Sequence, residues 1–377
     1  MDRCREITVH KEMREMVKKE DMAQYNPSVP HIVYAADDKF AEILGVSLVS
    51  LYENNRDMDD IVVYVLDSNI TNENKEKIVS VSRKYQRSEV NFIPAENISK
   101  KLAIDVAVDR GSLSQYARLF IASDLPKELE RVLYLDCDTV INKSIKELWN
   151  LNLHGKTIGA LMDAFSKYYR VNIDLEPNDI MFNSGVMLID LNKWKKQDVE
   201  EKLLKFIVKK QGRIQQGDQG ALNAILSYDT YCFDPRFNSL TIFYDFTYRE
   251  MLAYRKPPKF YSESEVKKAI NNPVIIHFTT SIFSKRPWMI GCKHKYFSKW
   301  MEYKKKSPWN DLDLWVDDRP QWKQMIAKIL RRIPKRISIK IAGVMQIYVR
   351  PFVNRLKNIK HIKCKSLYNK FYSQQCS

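Results

Sequence analysis

No stretch of this 377-residue chain approaches the roughly 20 consecutive apolar residues that cross a bilayer, so a transmembrane helix is excluded. The N-terminal run MDRCREITVHKEMREMVKKEDM has no apolar core of the signal-peptide kind; it is charged throughout and reads as a peripheral helix or a disordered segment. Six cysteines, at positions 4, 137, 232, 292, 364 and 376, show no metal-type spacing, and they suggest reduced thiols and a cytoplasmic site of action. No GxGxxG follows the first apolar strand and no GxxxxGK[ST] occurs anywhere, which argues against a dinucleotide fold and a P-loop ATPase. Acidic residues are missing from 319–377, where fifteen Lys and Arg supply nearly all of the net charge of +16.

What is present is an apolar run, VLYLDCDTVI, that ends in two aspartates one residue apart. On a strand the pleat returns such side chains to the same face, so Asp136 and Asp138 are expected to converge beyond the strand's end. Two convergent carboxylates suit a hard divalent cation, Mg²⁺ or Mn²⁺, with positions open to phosphate oxygens. The same residues also fit a haloacid-dehalogenase-type phosphohydrolase with Asp136 as nucleophile. That reading lacks a late pair of acidic ligands and an early nucleophile strand, because three strand-helix units precede the motif. These are HIVYAAD, IVVYVLD and VNFIP, followed by Lys39–Tyr52, Thr71–Tyr85 and Ser112–Ala122. The first strand ends in small alanines and two acids, a place where a flat base can approach the backbone and a carboxylate can accept from ring N–H or ribose hydroxyls.

Taken together, AADD at Ala35–Asp38, SQYARLF at Ser114–Phe120, VLYLDCD, FNSGVMLIDLNKW at Phe182–Trp194, GDQGALN at Gly217–Asn223 and a late HF…KRPW resemble glycosyltransferase family 8. That group includes glycogenin and bacterial lipopolysaccharide galactosyl- and glucosyltransferases. The resemblance implies an α/β GT-A fold, with a Rossmann-like, mostly parallel central sheet flanked by helices. It also implies a UDP-sugar donor (UDP-galactose or UDP-glucose), a saccharide or glycolipid acceptor, Mn²⁺ with Mg²⁺ as the alternative, and retention at the anomeric carbon. By the same resemblance Asp136, Asp138 and His277 would bind the metal, imidazole favouring Mn²⁺. Ala35, Ala36, Asp37 and Asp38 would hold uracil and ribose, with Cys137 also on the donor side. Arg118 would reach the sugar or phosphates, Asp163 and Asn183 the transferred sugar, and Asp218 and Gln219 would lie beneath the reacting carbon. The family's closing HxxGxxKPW is here HFTTSIFSKRPW, with Thr280 in place of the glycine and either Lys285 or Arg286 supplying the positive charge.

These readings divide the chain into a charged extension (1–29), a GT-A catalytic domain (30–305) and a basic helical appendage (306–377). Trp322, Met325, Ile326, Ile329, Leu330 and Ile333 recur at helical spacing, and the pattern repeats after Pro334 and continues after Pro351. A basic amphipathic series of this kind is expected to lie on an anionic membrane rather than on nucleic acid, and places the protein at the inner face of the membrane. A packed helical subdomain is the competing expectation. A noncatalytic membrane-bound scaffold is the remaining functional alternative.

Overall fold

The computed structural model describes residues 28–95, 98–102, 106, 114–317 and 319–357. The expected N-terminal extension up to residue 27 and the basic residues 358–377 lie outside the described residues.

Among the described residues ten strands form two sheets: β1 His31–Asp37, β2 Val62–Ser68, β3 Asn91–Pro94, β4 Arg131–Leu135, β5 Thr139–Ile141, β6 Ile158–Met162, β7 Phe182–Asp190, β8 Thr230–Cys232, β9 Ser239–Leu240 and β10 Ile275–His277. The main sheet runs β3-β2-β1-β4-β7-β6-β8, parallel except for the two pairings of β7 with its neighbours. A sheet covered on both faces needs apolar residues on both, which is why β1 and β4 read as apolar runs rather than alternating ones. Tyr34, Val63, Leu135 and Leu188 pack into one core with Trp288, Trp300 and Trp309. Val33, Leu66, Tyr134 and Met187 face a second core with Trp194 and Phe206. Each such fully buried aliphatic side chain is worth about 1.5–3 kcal/mol relative to exposure.

The first two expected strand-helix units are found, with helices Ala41–Glu53 and Asn72–Lys84, the latter capped by Thr71, whose hydroxyl accepts from Asn74 N at 3.4 Å. The third differs. Ser114–Phe120 is a 3₁₀ turn that passes into a short helix, Ile121–Asp124. Its five residues from Tyr116 to Phe120 are all buried, so the segment has no solvent face of the kind an amphipathic helix needs.

A three-stranded sheet, β5-β10-β9, sits beside the end of β4. Its antiparallel β5/β10 pairing sets His277 opposite Thr139, one residue from Asp138.

Residues 297–315 pack against the helix Ala41–Glu53. The Lys304 ammonium is buried against Glu42 at 2.5 Å and donates to Trp309 O, while Trp315 Nε1 donates to the other Glu42 oxygen. Trp309 covers Gly45 so closely that a Cβ there would lie 2.1 Å from its ring. Thus residues 306–315, grouped with the appendage on sequence grounds, join the same core as the sheet.

Helices Gln321–Arg332 and Lys335–Val344 follow, separated at Pro334 as expected. The pattern continues past Pro351, as expected: the helix runs on through a π turn, Met345–Val349, to residue 357. Proline removes the hydrogen bond to the carbonyl four residues earlier. Here that carbonyl, Ile347 O, accepts from Ser166 Oγ at 3.2 Å. Ile339, Ala342 and Ile347 are buried, whereas Trp322, Met325, Ile329, Ile337, Val344 and Phe352 are exposed. The region is therefore both packed on the domain and apolar on its outer side. Among the described residues no helix is long and apolar enough to cross a membrane.

Candidate active site

The carboxylates of Asp136 and Asp138 and the imidazole of His277 each place a ligand atom within 4.8 Å of the others. The reason for convergence is not the strand pleat. Strand β4 ends at Leu135 and the chain turns at Cys137–Asp138 before β5, so the two carboxylates are brought together by a turn. Asp136 N donates to Gly185 O at 2.7 Å and Phe278 N to Asp138 O at 2.8 Å, which ties the turn to β7 and β10.

His277 Nε2 lies 3.1 Å from Asp138 Oδ1 and 3.7 Å from Asp136 Oδ2. Its Nδ1 is 3.0 Å from Asn238 Oδ1, and Asn238 Nδ2 donates to Asn183 Oδ1 at 2.9 Å. Since Asn238 presents its oxygen to the ring, Nδ1 carries a hydrogen, and in the tautomer that ligates a metal the Nε2 lone pair would face two carboxylates. A cation among the three atoms removes that conflict, and an O,O,N donor set suits Mn²⁺ and Mg²⁺, with the imidazole favouring Mn²⁺. Gly185 makes room for it: a Cβ on that residue would stand 2.1 Å from His277 Cε1 and 2.7 Å from Asp136 Oδ2.

Arg118 is buried beside this cluster and binds Asp136 at 2.8 Å and Asp218 at 3.0 Å. It also donates to Ser184 O, and its guanidinium lies 4.4 Å from the Tyr134 ring centroid. Burial works against its charge, but Asp136, Tyr134 and Asp218 outweigh burial and hold the guanidinium ionised beyond its usual range. Asp218 is thus the arginine's partner and not a helix cap; the helix Gly217–Leu226 starts from Gln216 without a side-chain cap.

Gln219 Oε1 accepts from Ser184 N at 3.2 Å and lies 3.4 Å from Asn183 Nδ2, so the carboxamide is oriented on β7. Asn183 Nδ2 also reaches Asp163 at 3.5 Å. Burial raises the Asp163 pKa above the carboxylate norm, against the charge of Arg255 and the Asn183 hydrogen bond. Asp163, Asn183, Gln219, Asn238 and His277 therefore form one hydrogen-bonded series.

Of the expected donor residues, Ala35 and Asp37 are half-buried at the end of β1 and Ala36 is buried. Asp37 caps the following 3₁₀ turn, and Asp38 Oδ1 accepts three hydrogen bonds at 2.8 Å from Thr71 and Asn74, the Asn74 bond leading in holding its pKa low. The Cys137 thiol is buried and donates to Ala35 O at 3.3 Å, so its side chain faces the core. The two basic candidates of the closing segment separate. Arg286 reaches Asp138 at 3.3 Å, whereas Lys285 turns to Ile290 O and Asp317.

Comparison with known proteins gives this geometry its context. Residues 31–289 match the family model described as Glycosyl transferase family 8. The chain belongs to glycosyltransferase family 8. General stress protein A of Bacillus subtilis is 29% identical over 287 residues, covering 75% of this chain and 96% of that protein. The lipopolysaccharide 1,2-glucosyltransferase of Escherichia coli is 25% identical over 285 residues, covering 74% and 79%. Among solved structures, the galactosyltransferase LgtC in complex with donor and acceptor sugar analogs superposes with a TM-score of 0.62 at 24% identity, over 78% of this chain and 99% of that one. The architecture of this family 8 chain is accordingly the GT-A fold, and its activity is glycosyl transfer. Family membership leaves the phosphohydrolase reading without support, and the Asp136, Asp138 and His277 cluster argues against a decayed site.

Sequence reasoning missed Asn238, Gly185 and Arg255. Gly185 stood inside the FNSGVML block, where a glycine in a buried strand already signals a close approach. Asn238 lies in PRFNSL, which carries no local pattern, and only the β9/β10 pairing brings it to His277.

Proposed function

We propose that this protein is a Mn²⁺-dependent, retaining hexosyltransferase that moves galactose or glucose from a UDP-sugar to a saccharide of a cell-surface glycan such as lipopolysaccharide. The observation that carries the reading is the convergence of Asp136, Asp138 and His277 in a family 8 chain. When bound, the ion supplies Lewis-acid neutralisation of the departing diphosphate. Arg118 and Arg286 bring fixed positive charge to the same place, and Arg118 holds Asp136 in position for it. Ala35, Ala36, Asp37 and the turn at Cys137 form the ledge for base and ribose.

A retaining glycosidase uses two carboxylates about 5 Å apart, one of them a nucleophile. At the corresponding place this chain carries the Gln219 carboxamide, held by Ser184 and Asn183. A front-face displacement follows, in which the donor's own phosphate oxygen takes the acceptor proton. Gln219 and Asp163 then orient the sugar and stabilise its developing positive charge. The outer apolar side of residues 321–357, with its basic neighbours, would hold the enzyme on the inner face of an anionic membrane.

The test is UDP release from UDP-glucose and UDP-galactose with Mn²⁺ or with EDTA, followed by the anomeric configuration of the product. Metal-dependent UDP release and a retained anomer are expected. Full activity in EDTA, or orthophosphate in place of UDP, would overturn the reading.

A further inference from the structure

One wall beside Asp163 is built by a part of the chain that lies beyond the family match. The C-terminal helix is fastened to the segment that follows Asp163 by three hydrogen bonds: Ser166 Oγ to Ile347 O, Asn172 Nδ2 to Pro351 O and Gln346 Nε2 to the Tyr169 hydroxyl. At this junction the Tyr168 and Tyr348 rings lie 5.1 Å apart, both exposed, and Lys256 donates to the Tyr348 hydroxyl at 3.2 Å. Arg255, the last residue of the helix Tyr248–Arg255, lies over Phe165 with its guanidinium carbon 4.9 Å from the ring centroid. Its Nε is buried without a hydrogen-bond partner, and among the described residues neither Arg255 nor Arg350 forms an ion pair within 4.0 Å. Burial raises the Tyr169 pKa, and the positive charge of Arg350 opposes it.

Arg255 is half-buried and its Nε is sealed from solvent, so a ligand can meet only the remaining N–H groups of the fork, which fits phosphate and carboxylate oxygens. Exposed aromatic rings beside it offer an apolar face to a sugar ring. The charge of Arg255 is felt at Asp163, where it opposes the effect of burial, so this corner and the sugar-transfer position share one electrostatic environment.

We infer that the corner formed by Phe165, Tyr168, Arg255, Tyr348 and Arg350 is an acceptor subsite for a saccharide bearing an anionic substituent, a phosphate or a carboxylate, near the accepting hydroxyl. The inference rests on the glycosyltransferase reading above and adds the class of acceptor. Arg255 binds the oxyanion, Arg350 adds a second positive charge, and the two tyrosines pack on the sugar. The acceptor's selectivity then depends on a helix that the rest of the family need not share.

The experiment uses the full chain with a UDP-sugar, Mn²⁺ and three acceptors: a neutral disaccharide, its phosphorylated counterpart and its uronic-acid counterpart. One or both anionic acceptors are expected to show a KM lower by about 10-fold or more, the scale of a hydrogen-bonded charge. Which of the two does so separates phosphate from carboxylate. In Arg255→Gln the ratio of KM for neutral and anionic acceptors should collapse toward one, with Arg255→Lys retaining part of it. Arg350→Gln should reduce the ratio more weakly. Equal KM for all three acceptors in the native enzyme, or an unchanged ratio in Arg255→Gln, would overturn the subsite. Acceptor-free UDP release by the native enzyme is the control: its absence would instead defeat the donor assignment, and the subsite with it.

Discussion

The Oδ1 of Asn238 accepts the Nδ1 hydrogen of His277 at 3.0 Å, and this bond decides which nitrogen faces Asp136 and Asp138. An outer partner of a ligating histidine contributes about 10–100-fold in metal affinity. Asn238→Ala is therefore expected to weaken Mn²⁺ binding on that scale while Asp136 and Asp138 stay in place. Calorimetric titration of Mn²⁺ in the presence of UDP measures it, and native affinity in the variant would show that the ring is oriented by something else.

Gly185→Ala puts a methyl group 2.1 Å from His277 Cε1. Neither the β7 backbone nor the buried imidazole has room to retreat. Turnover should fall to near background and Mn²⁺ affinity with it, with circular dichroism still that of a folded protein. An active alanine variant would mean that His277 is not a ligand.

On the proposed front-face mechanism, Gln219→Ala removes a group that orients and stabilises rather than attacks. The expected loss in kcat is about 10²–10³-fold, the range for a single electrostatic stabiliser. Trapping a sugar covalently attached to any side chain of the native enzyme would contradict the front-face mechanism.

Asp163 gives a pH signature of defined sign. Burial raises its folded pKa above the ordinary 3.8, so folding penalises the ionised form. The penalty is complete above the raised value and is relieved as the pH falls through it, because the folded protein then binds a proton that the unfolded chain binds only lower. Asp163→Asn abolishes this contribution. The stability of the native enzyme relative to the variant should therefore improve as the pH is lowered from 7, read from urea titrations at each pH. A difference that does not vary with pH would refute the assignment.

The two sides of the C-terminal helices are separable by mutation. Ile339→Ala, on the buried side, should destabilise by about 2–5 kcal/mol. Replacing exposed Trp322, Met325 and Ile329 with serine should leave the melting temperature nearly unchanged and abolish sedimentation with anionic liposomes. Liposome binding that survives the triple change would defeat membrane attachment through this face.

Much of this was readable in the chain because it is local. The apolar runs of β1, β2 and β4, the helical segment beginning near Thr71 and the Asp136/Asp138 pair are short-range patterns. The rest depended on distant pairing. That His277 meets Asp138 follows from the β5/β10 register, and that Arg286 rather than Lys285 turns inward follows from the path of a loop. The amphipathic tail showed an apolar stripe but not its division: Leu330 and Ile339 face the domain while Ile329 and Ile337 do not, since helical period alone cannot say which part of a wide stripe finds a neighbour.

Pro351 denies Ile347 O the donor four residues on, and Ser166 supplies a hydrogen from another part of the chain. Pulling the helix away would strand a buried carbonyl, at about 1–3 kcal/mol. The helix therefore acts as a tether whose far end is three residues from Asp163: whatever surface the outer face rests on, its position is transmitted to the Asp163 side of the protein through this serine and the neighbouring Asn172 and Gln346 bonds.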